Sequence, residues 1–296
     1  MVEPRPFPRV GVDRYLVARR AVQIGVLLAF FGTFHWGWRL FDQPLLTGNL
    51  SGSTLLGVVP MADPFAVVQI LLTGHLPLVE VIVGAAIVLI FYAVVGGRSF
   101  CAWVCPVNVL ADAAESLRRR LGLGGGIRLP RNLRYIALGL SLLLSGVVGV
   151  AAFEWVSPIG IFHRELIYGV GFGIATLAGI LIFDAFVLRQ GWCGHLCPLG
   201  AFWAQVGRIA RVRVRFEQSS CTECGDCIRI CPEPQVLNLR EAAEARMVRS
   251  GECTNCARCI TVCPEGSLSF GLRPAPRSGK SISTGRDRAH ESGSSG

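Results

Sequence analysis

The sequence predicts an α-helical integral membrane protein with four transmembrane helices in two similar halves, followed by a small cysteine-rich α+β domain. Of its 296 residues, 51% are hydrophobic and only 17% are charged, whereas an average soluble domain carries about 25% charged residues. Four apolar stretches approach the roughly 20 residues that a helix needs to cross a bilayer. Eight of the twelve cysteines lie between residues 221 and 263, in a polar region.

The four predicted spans cover approximately residues 21–38, 78–97, 135–153 and 167–188. A signal peptide is the alternative for the first, because arginines precede it. The following segment HWGWRLFDQ lacks the small residues of a cleavage site, so we expect a retained helix. The first connection contains another apolar stretch, which Pro60 and Pro64 interrupt. We expect a short helix there, at the outer surface or partway into the bilayer.

Arginine residues predict the orientation of the spans. The first and third connections contain one arginine each, Arg39 and Arg164. The other polar segments of the membrane part are arginine-rich: Arg5, Arg9, Arg14, Arg19 and Arg20 before the first span, Arg98, Arg118, Arg119, Arg120, Arg128, Arg131 and Arg134 in the second connection, and Arg189, Arg208, Arg211, Arg213 and Arg215 after the fourth span. Because positively charged segments stay on the cytoplasmic side, both termini are predicted to be cytoplasmic. The net charge of +9 therefore reflects topology, and no nucleic-acid partner is expected.

The predicted boundaries are a cytoplasmic segment at residues 1–20, a membrane domain at 21–216, a cysteine-rich domain at 217–272 and a disordered tail at 273–296. The membrane domain contains an internal repeat. Each half has two spans, a C-x3-C-P motif and an amphipathic helix candidate, VNVLADAAESLRRRLG or LGAFWAQVGRIARVRV. The two motifs are 92 positions apart, which chance would rarely produce.

Two cysteine runs in the C-terminal domain share one spacing. CTECGDCIRICP begins at Cys221 and CTNCARCITVCP begins at Cys253. This C-x2-C-x2-C-x3-C-P spacing is typical of bacterial ferredoxins with two [4Fe–4S] clusters, in which the fourth cysteine of each run binds the other cluster. We therefore predict two sets of ligands, named the first and second cysteine quartets. The first quartet is Cys221, Cys224, Cys227 and Cys263, and the second is Cys253, Cys256, Cys259 and Cys231.

Zinc binding and a disulfide framework are the alternatives for these runs. Structural zinc sites usually combine two separated C-x2-C pairs rather than triplets with a distant fourth cysteine. Disulfides are disfavoured in the reducing cytoplasm, where the arginines place this domain. Iron–sulfur clusters that transfer single electrons are the better prediction.

The C-x3-C-P motifs supply four further cysteines, named the membrane-proximal cysteines: Cys101, Cys105, Cys193 and Cys197. Proline suits the first position of a helix, so Pro106 and Pro198 mark helix starts. A helix N-terminus favours a thiolate, and we expect lowered thiol pKa values at Cys105 and Cys197. The four could form one four-sulfur metal site or act as redox dithiols. Small apolar packing residues are the alternative.

The order RSFCAWVCPVNVL, GWCGHLCPLGAF and the two cysteine runs resembles the NapH family of membrane-bound, ferredoxin-type quinol dehydrogenase subunits of periplasmic nitrate reductase systems. GNLSGSTLLGVVPMADPFAVVQILLTGH in the first connection resembles it too. The resemblance covers roughly residues 15–272. The C-x3-C-P motifs are less specific, since NosR, a cytochrome oxidase assembly protein and MauN share them.

This resemblance implies a multi-pass protein of the bacterial cytoplasmic (inner) membrane with two [4Fe–4S] clusters. It implies electron transfer from membrane quinol toward a periplasmic nitrate reductase, with a ferredoxin-type subunit and a multihaem cytochrome as candidate partners. Such a subunit would not complete catalysis alone. The alternatives are an iron–sulfur maturation factor, or a redox regulator, for a respiratory metalloenzyme.

Ionisable residues near the spans are candidates for quinol oxidation, although none is singled out as contacting quinol. Those predicted on the outer side are His35, Asp42, His75, Glu80, Glu154 and His163, and those toward the inside are Asp184 and His195. His195 lies between Cys193 and Cys197, where it could donate to a thiolate or bind metal. His35 and His163 are also considered as haem ligands.

Overall fold

The computed structural model of the protein describes residues 13–123, 129–169 and 171–273. Arg5, Arg9, Arg128 and the predicted tail from residue 274 onward lie outside the described residues. The helices are α1 (Arg14–Trp36), α2 (Pro64–Leu72), α3 (Val79–Val95), α4 (Ser99–Trp103), α5 (Val107–Arg120), α6 (Leu133–Val148), α7 (Ala152–Val156), α8 (Pro158–Tyr168), α9 (Gly173–Ile182), α10 (Pro198–Gly207), α11 (Asp226–Ile230), α12 (Leu239–Ala245) and α13 (Arg258–Val262). The strands are β1 (Arg39–Leu40), β2 (Gln43–Pro44), β3 (Leu46–Asn49), β4 (Gly52–Leu55), β5 (Val59–Ala62), β6 (Val212–Phe216) and β7 (Leu268–Leu272).

Four apolar helices overlap the four predicted spans. Among the described residues, α1 is the one helix that is both long and apolar enough to cross a membrane. The helices α3 and α6 are apolar but shorter, as is α9 together with the π-helical turn Phe183–Val187 that continues it.

The fourth predicted span differs most from the structure. Residues 167 and 168 belong to α8, and the chain then turns at Gly169 and Gly171, which have φ values of +66° and +142°. Glycine adopts such conformations without the strain that a side chain would cause. The predicted continuous helix 167–188 is therefore wrong, because α8 ends before these glycines and α9 begins after them.

Two short helices, α2 and α8, pack against the helices that follow them, α3 and α9. The nine residues of α2 span about 14 Å and the seventeen of α3 about 25 Å, so α2 is about half as long as its partner. Asp63 caps α2 by accepting from the backbone N–H of Phe65, and Ser157 caps α8 by accepting from Gly160. In both helices the cap is followed by proline at the first position, a repeat that the sequence analysis did not predict.

The connections meet at opposite ends of the helical bundle. Ser51 donates to the carboxylate of Glu154 at 2.6 Å, which joins the first connection to the third. The second connection instead contacts the cysteine-rich domain, because Arg98 donates to Glu233 at 2.8 Å. The five strands β1–β5 of the first connection form two antiparallel sheets, and none of them was predicted.

The cysteine-rich domain is closed by an antiparallel ribbon in which β6 pairs with β7, from Val212 opposite Leu272 to Phe216 opposite Leu268. Its core includes Val214, Phe216 and Leu268. The second amphipathic helix candidate was predicted through residue 214. The helix α10 ends at Gly207 instead, and β6 belongs to the ribbon. A strand of this domain thus precedes the predicted boundary at residue 217.

We predict that Gly251→Ala destabilises the contact between the two parts of the protein. A Cβ atom at Gly251 would overlap the carbonyl oxygen of Ala204 on α10, which is backbone and cannot rotate away. Overpacking of this kind costs about 1–3 kcal/mol. The measurement is thermal unfolding of the detergent-solubilised protein.

Gly139→Ala on α6 is the matched control, since a Cβ there meets nothing within 4 Å. Alanine favours a helix over glycine, so this variant should unfold at or slightly above the wild-type temperature. Equal melting temperatures for the two variants would contradict the predicted close contact.

Candidate functional site

The structure brings the four cysteines of the first quartet around one pocket. Cys221, Cys224 and Cys227 of the first run line this pocket together with Cys263 of the second run. The short helices α11 and α13, which carry the ends of the two runs, pack against each other. This packing places the fourth cysteine of one run beside the first three of the other.

The second quartet lines an equivalent pocket. Cys253, Cys256 and Cys259 lie there with Cys231 from the first run. All twelve cysteines of the chain are free thiols, so the quartets are not disulfide pairs. Among the described residues, no three His, Cys, Asp or Glu side chains are close enough together to hold a single metal ion.

The two cysteine loops have matching backbone conformations. Glu223 and Gly225 in the first loop have φ values of +54° and +79°, and Asn255 and Ala257 in the second have +49° and +64°. Alternating left-handed residues turn successive N–H groups toward a common anion. The N–H of Glu223 donates to the Cys221 sulfur at 3.4 Å. Cradles of N–H groups around four thiols fit [4Fe–4S] clusters, whose sulfur atoms accept hydrogen bonds.

The four membrane-proximal cysteines line one cavity, named the four-cysteine cavity. The two C-x3-C-P motifs contain equivalent backbone hydrogen bonds. The N–H of Cys105 donates to the carbonyl of Phe100 at 3.0 Å, and that of Cys197 to Trp192 at 2.9 Å. Bonds that span five residues are typical of π-helical turns, which are frequent at functional sites. The two halves of the membrane domain therefore converge on one site.

The predicted lowering of the thiol pKa values is wrong. Burial raises the pKa of Cys105, and it raises that of Cys197 to about 12, although N–H groups at the start of the next helix act in the opposite direction. Burial likewise raises the pKa of Cys101 and Cys193. As free thiols these groups are protonated at neutral pH, because desolvation outweighs the helix end.

The walls of the four-cysteine cavity are largely apolar and include Phe100, Phe153 and Trp192. Three arginines, Arg19, Arg98 and Arg258, also line it. Cys256 of the second quartet lies on the same wall. The cavity therefore joins the cysteines of the membrane domain to one quartet of the C-terminal domain.

A buried carboxylate, Glu233, holds the cysteine-rich domain against the helices beside this cavity, at a contact named the junction. Its side chain accepts from Arg98 at 2.8 Å and from Arg134 at 3.1 Å, and it also pairs with Arg131. Burial would raise the pKa of Glu233, but the three guanidinium groups outweigh it and hold that pKa below its usual value. Arg98 donates further to the carbonyl oxygens of Cys193 at 3.2 Å and Glu252 at 3.0 Å.

Neither Arg98 nor Glu233 was predicted as a site residue. Arg98 was counted only as a marker of topology. The available signals were an arginine three positions before the first C-x3-C-P motif and a glutamate directly after the Cys-Pro of the first run. Local spacing alone does not show that these two residues meet.

The eight candidates for quinol oxidation do not line the four-cysteine cavity. His163 is buried against Phe30, with ring centroids 4.5 Å apart, and no hydrogen-bond partner for its ring nitrogens occurs among the described residues. His195 is buried near the carbonyl of Gln190, and Asp184 accepts from the N–H of Trp192 at 2.9 Å. The other positions are His35, His75, Asp42 and Glu80, which are exposed, and Glu154, which accepts from Ser51.

Comparison with protein families identifies iron–sulfur binding domains in the regions that contain these cysteines. Residues 78–124 and 170–217 match a family described as a 4Fe-4S binding domain, and these two matches contain the C-x3-C-P motifs. Residues 213–264 match a 4Fe-4S dicluster domain. No solved structure matches the chain. The fold and these domains define a ferredoxin-type electron-transport protein.

Known relatives identify the family. The chain is 45% identical over 229 residues to the methylamine utilization ferredoxin-type protein MauN of Methylobacillus flagellatus, covering 76% of this chain and 78% of the relative. It is 40% identical over 227 residues to the ferredoxin-type protein NapH of Haemophilus influenzae, covering 76% and 77%. The chain belongs to the NapH and MauN family of ferredoxin-type proteins, and the resemblance seen in the sequence is confirmed.

We predict that each quartet depends on a cysteine from the opposite run. Cys263→Ser should remove the cluster of the first quartet and leave that of the second, and Cys231→Ser should do the reverse. Iron and acid-labile sulfide are counted on anaerobically purified protein, with about eight iron atoms per chain expected for the wild type and about half for either variant. A wild-type value well above eight would indicate that the membrane-proximal cysteines also bind a cluster.

Glu233→Gln should lower the free energy of unfolding by about 3–5 kcal/mol, because the buried guanidinium of Arg98 loses its carboxylate partner and that of Arg134 keeps only Glu252. Equilibrium urea unfolding in detergent, followed by tryptophan fluorescence, measures this loss. Glu244→Gln is the control, since Glu244 is exposed on α12, and its effect should stay within about 0.5 kcal/mol. Similar values for the two variants would show that Glu233 does not hold the junction.

Proposed function

We propose that this chain is the membrane electron-transfer subunit that takes electrons from quinol and passes them through iron–sulfur clusters toward a periplasmic nitrate reductase system. The observation that supports this function most directly is the four-cysteine cavity. It joins the redox-type cysteines of the membrane domain to Cys256 of the second quartet within one apolar enclosure.

The first and second quartets would each hold one [4Fe–4S] cluster. When bound, such a cluster supplies one-electron transfer at a potential that its surroundings determine. Oxidation of one quinol to quinone releases two electrons and two protons, so a pair of one-electron acceptors matches this substrate. The chain's own residues would hold the acceptors and exclude water from the cavity between them and the membrane.

Four transmembrane spans, with both termini in the cytoplasm, are part of this proposal. On α6 an apolar face is open to the surroundings, formed by Ile136, Leu140, Leu143 and Val147, which are 53–76% exposed. Monomeric soluble proteins rarely expose such a face, whereas lipid would cover it. The short helices α2 and α8 would extend the apolar bundle beside α3 and α9.

Exposed aromatic residues support the assignment of the outer end. Trp36, Trp38, Trp155 and Tyr168 are 41–69% exposed, and they lie in or beside the first and third connections. Aromatic residues of this kind collect at the interface between membrane and water. The arginine-rich connections meet at the other end, where the cysteine-rich domain is docked.

A second candidate is an equivalent role in methylamine utilisation. The chain is 45% and 42% identical to two MauN proteins and 40% and 39% identical to two NapH proteins. The two candidates share the ferredoxin-type electron-transfer chemistry proposed above and differ in whether it serves nitrate reduction or methylamine utilisation.

The test is anaerobic reduction of the purified full-length chain in lipid nanodiscs by ubiquinol and by menaquinol analogues. Loss of the cluster absorbance on mixing, with the oxidised quinones as controls, is the expected result. Dithionite reduction without reduction by any quinol would overturn the proposed function. Growth of a deletion strain with nitrate as acceptor, and separately on methylamine, then separates the two candidate systems.

A further inference from the structure

The two cysteine quartets share one loop geometry but lie in opposite charge environments. Arg258 lines the pocket of the second quartet, and the charges of Arg19 and Arg258 both act on Cys256. Arg98 and Arg213 act on Cys253. Arg19, Arg98 and Arg213 are each at most 3% exposed.

Carboxylates near the second quartet offset this positive charge only in part. Glu233 is shared among Arg98, Arg131 and Arg134, and Glu252, next to Cys253, also pairs with Arg134. Asp112 is likewise shared by Arg20 at 2.5 Å, by Arg19 at the longer distance of 3.6 Å, and by Arg258.

Two of these arginines are weakly compensated. The Nε atom of Arg19 has no hydrogen-bond partner among the described residues. Arg213 donates to the backbone carbonyl of Ser250 at 2.7 Å, and no ion pair to it occurs within the described part of the chain. The second quartet therefore lies in a net positive environment.

The first quartet has the reverse surroundings. Glu223 and Glu265 line its pocket, and both are exposed; no arginine lines it among the described residues. Asp226 begins α11 beside Cys227 and pairs with Arg229. The local charge at this quartet is negative.

Reduction adds one negative charge to a cluster, so nearby positive charge raises its potential and nearby negative charge lowers it. Burial of a cluster lowers its reduction potential, and Cys231 and Cys259 of the second quartet are the more buried thiols. The buried arginines outweigh this effect, since charges inside a protein are screened far less than exposed ones. The exposed carboxylates of Glu223 and Glu265 lower the potential at the first quartet by a smaller amount, which widens the difference between the two quartets.

We propose that Arg19, Arg98, Arg213 and Arg258 hold the reduction potential at the second quartet above that at the first. This inference rests on one part of the proposed function, namely that each quartet holds a cluster. A single electron on the protein would then reside at the second quartet, next to the four-cysteine cavity. Arg19 is a positioning residue in this role, since it changes the potential of a group that other residues bind.

The experiment is a potentiometric titration of anaerobic full-length protein, followed by EPR. Cys263→Ser and Cys231→Ser, each leaving one cluster, assign the two midpoints. The protein retaining only the second quartet should titrate at the higher potential. The opposite order, or identical midpoints, would overturn the proposal.

Arg19→Gln should shift the upper midpoint to lower potential and leave the lower midpoint unchanged, and Arg19→Lys should restore it. Glu223→Gln, at an exposed position that folding tolerates, should raise the lower midpoint alone. Parallel shifts of both midpoints in these variants would contradict the local effect of charge. If the two midpoints have the proposed order but no quinol reduces the protein, the proposed function is wrong and this inference still holds.

Discussion

The buried carboxylate of Glu233 is the interaction on which the rest of the structure depends. It follows the Cys-Pro of the first run and pairs with Arg98 and Arg134 from the membrane domain. Taking these charges out of water costs several kcal/mol per ion, so the arrangement is favourable only when every partner is present. This requirement gives the cysteine-rich domain a single docked position, with the second quartet facing the four-cysteine cavity and the first quartet facing away.

The same buried arginines connect architecture to redox chemistry. Arg98 reaches Glu233, a carbonyl of the second C-x3-C-P motif and the carbonyl of Glu252, which directly precedes the second run. A group needed to hold two domains together is thereby placed beside the cysteines of both. Docking and the electrostatic environment of the cavity cannot vary independently in this protein, because one set of side chains determines both.

Patterns local in the chain were predicted well, and features that depend on burial or on distant contacts were not. The cysteine spacing indicated both quartets, and apolar length located four helices. The period-two pattern VRVRF at residues 212–216 is a strand signal that was read as the end of a helix. Thiol pKa values follow burial, which a helix-end pattern does not reveal. The meeting of Arg98 with Glu233, 135 positions later, has no local signature.

The short helices α2 and α8 show that the internal repeat extends beyond its cysteines. Each half consists of a long helix, a capped short helix that begins with proline, an apolar partner helix and a C-x3-C-P turn. Each half contributes two of the four sulfurs in the shared cavity. Neither half could therefore close this cavity alone, and any displacement of one half relative to the other would separate the two pairs of sulfurs.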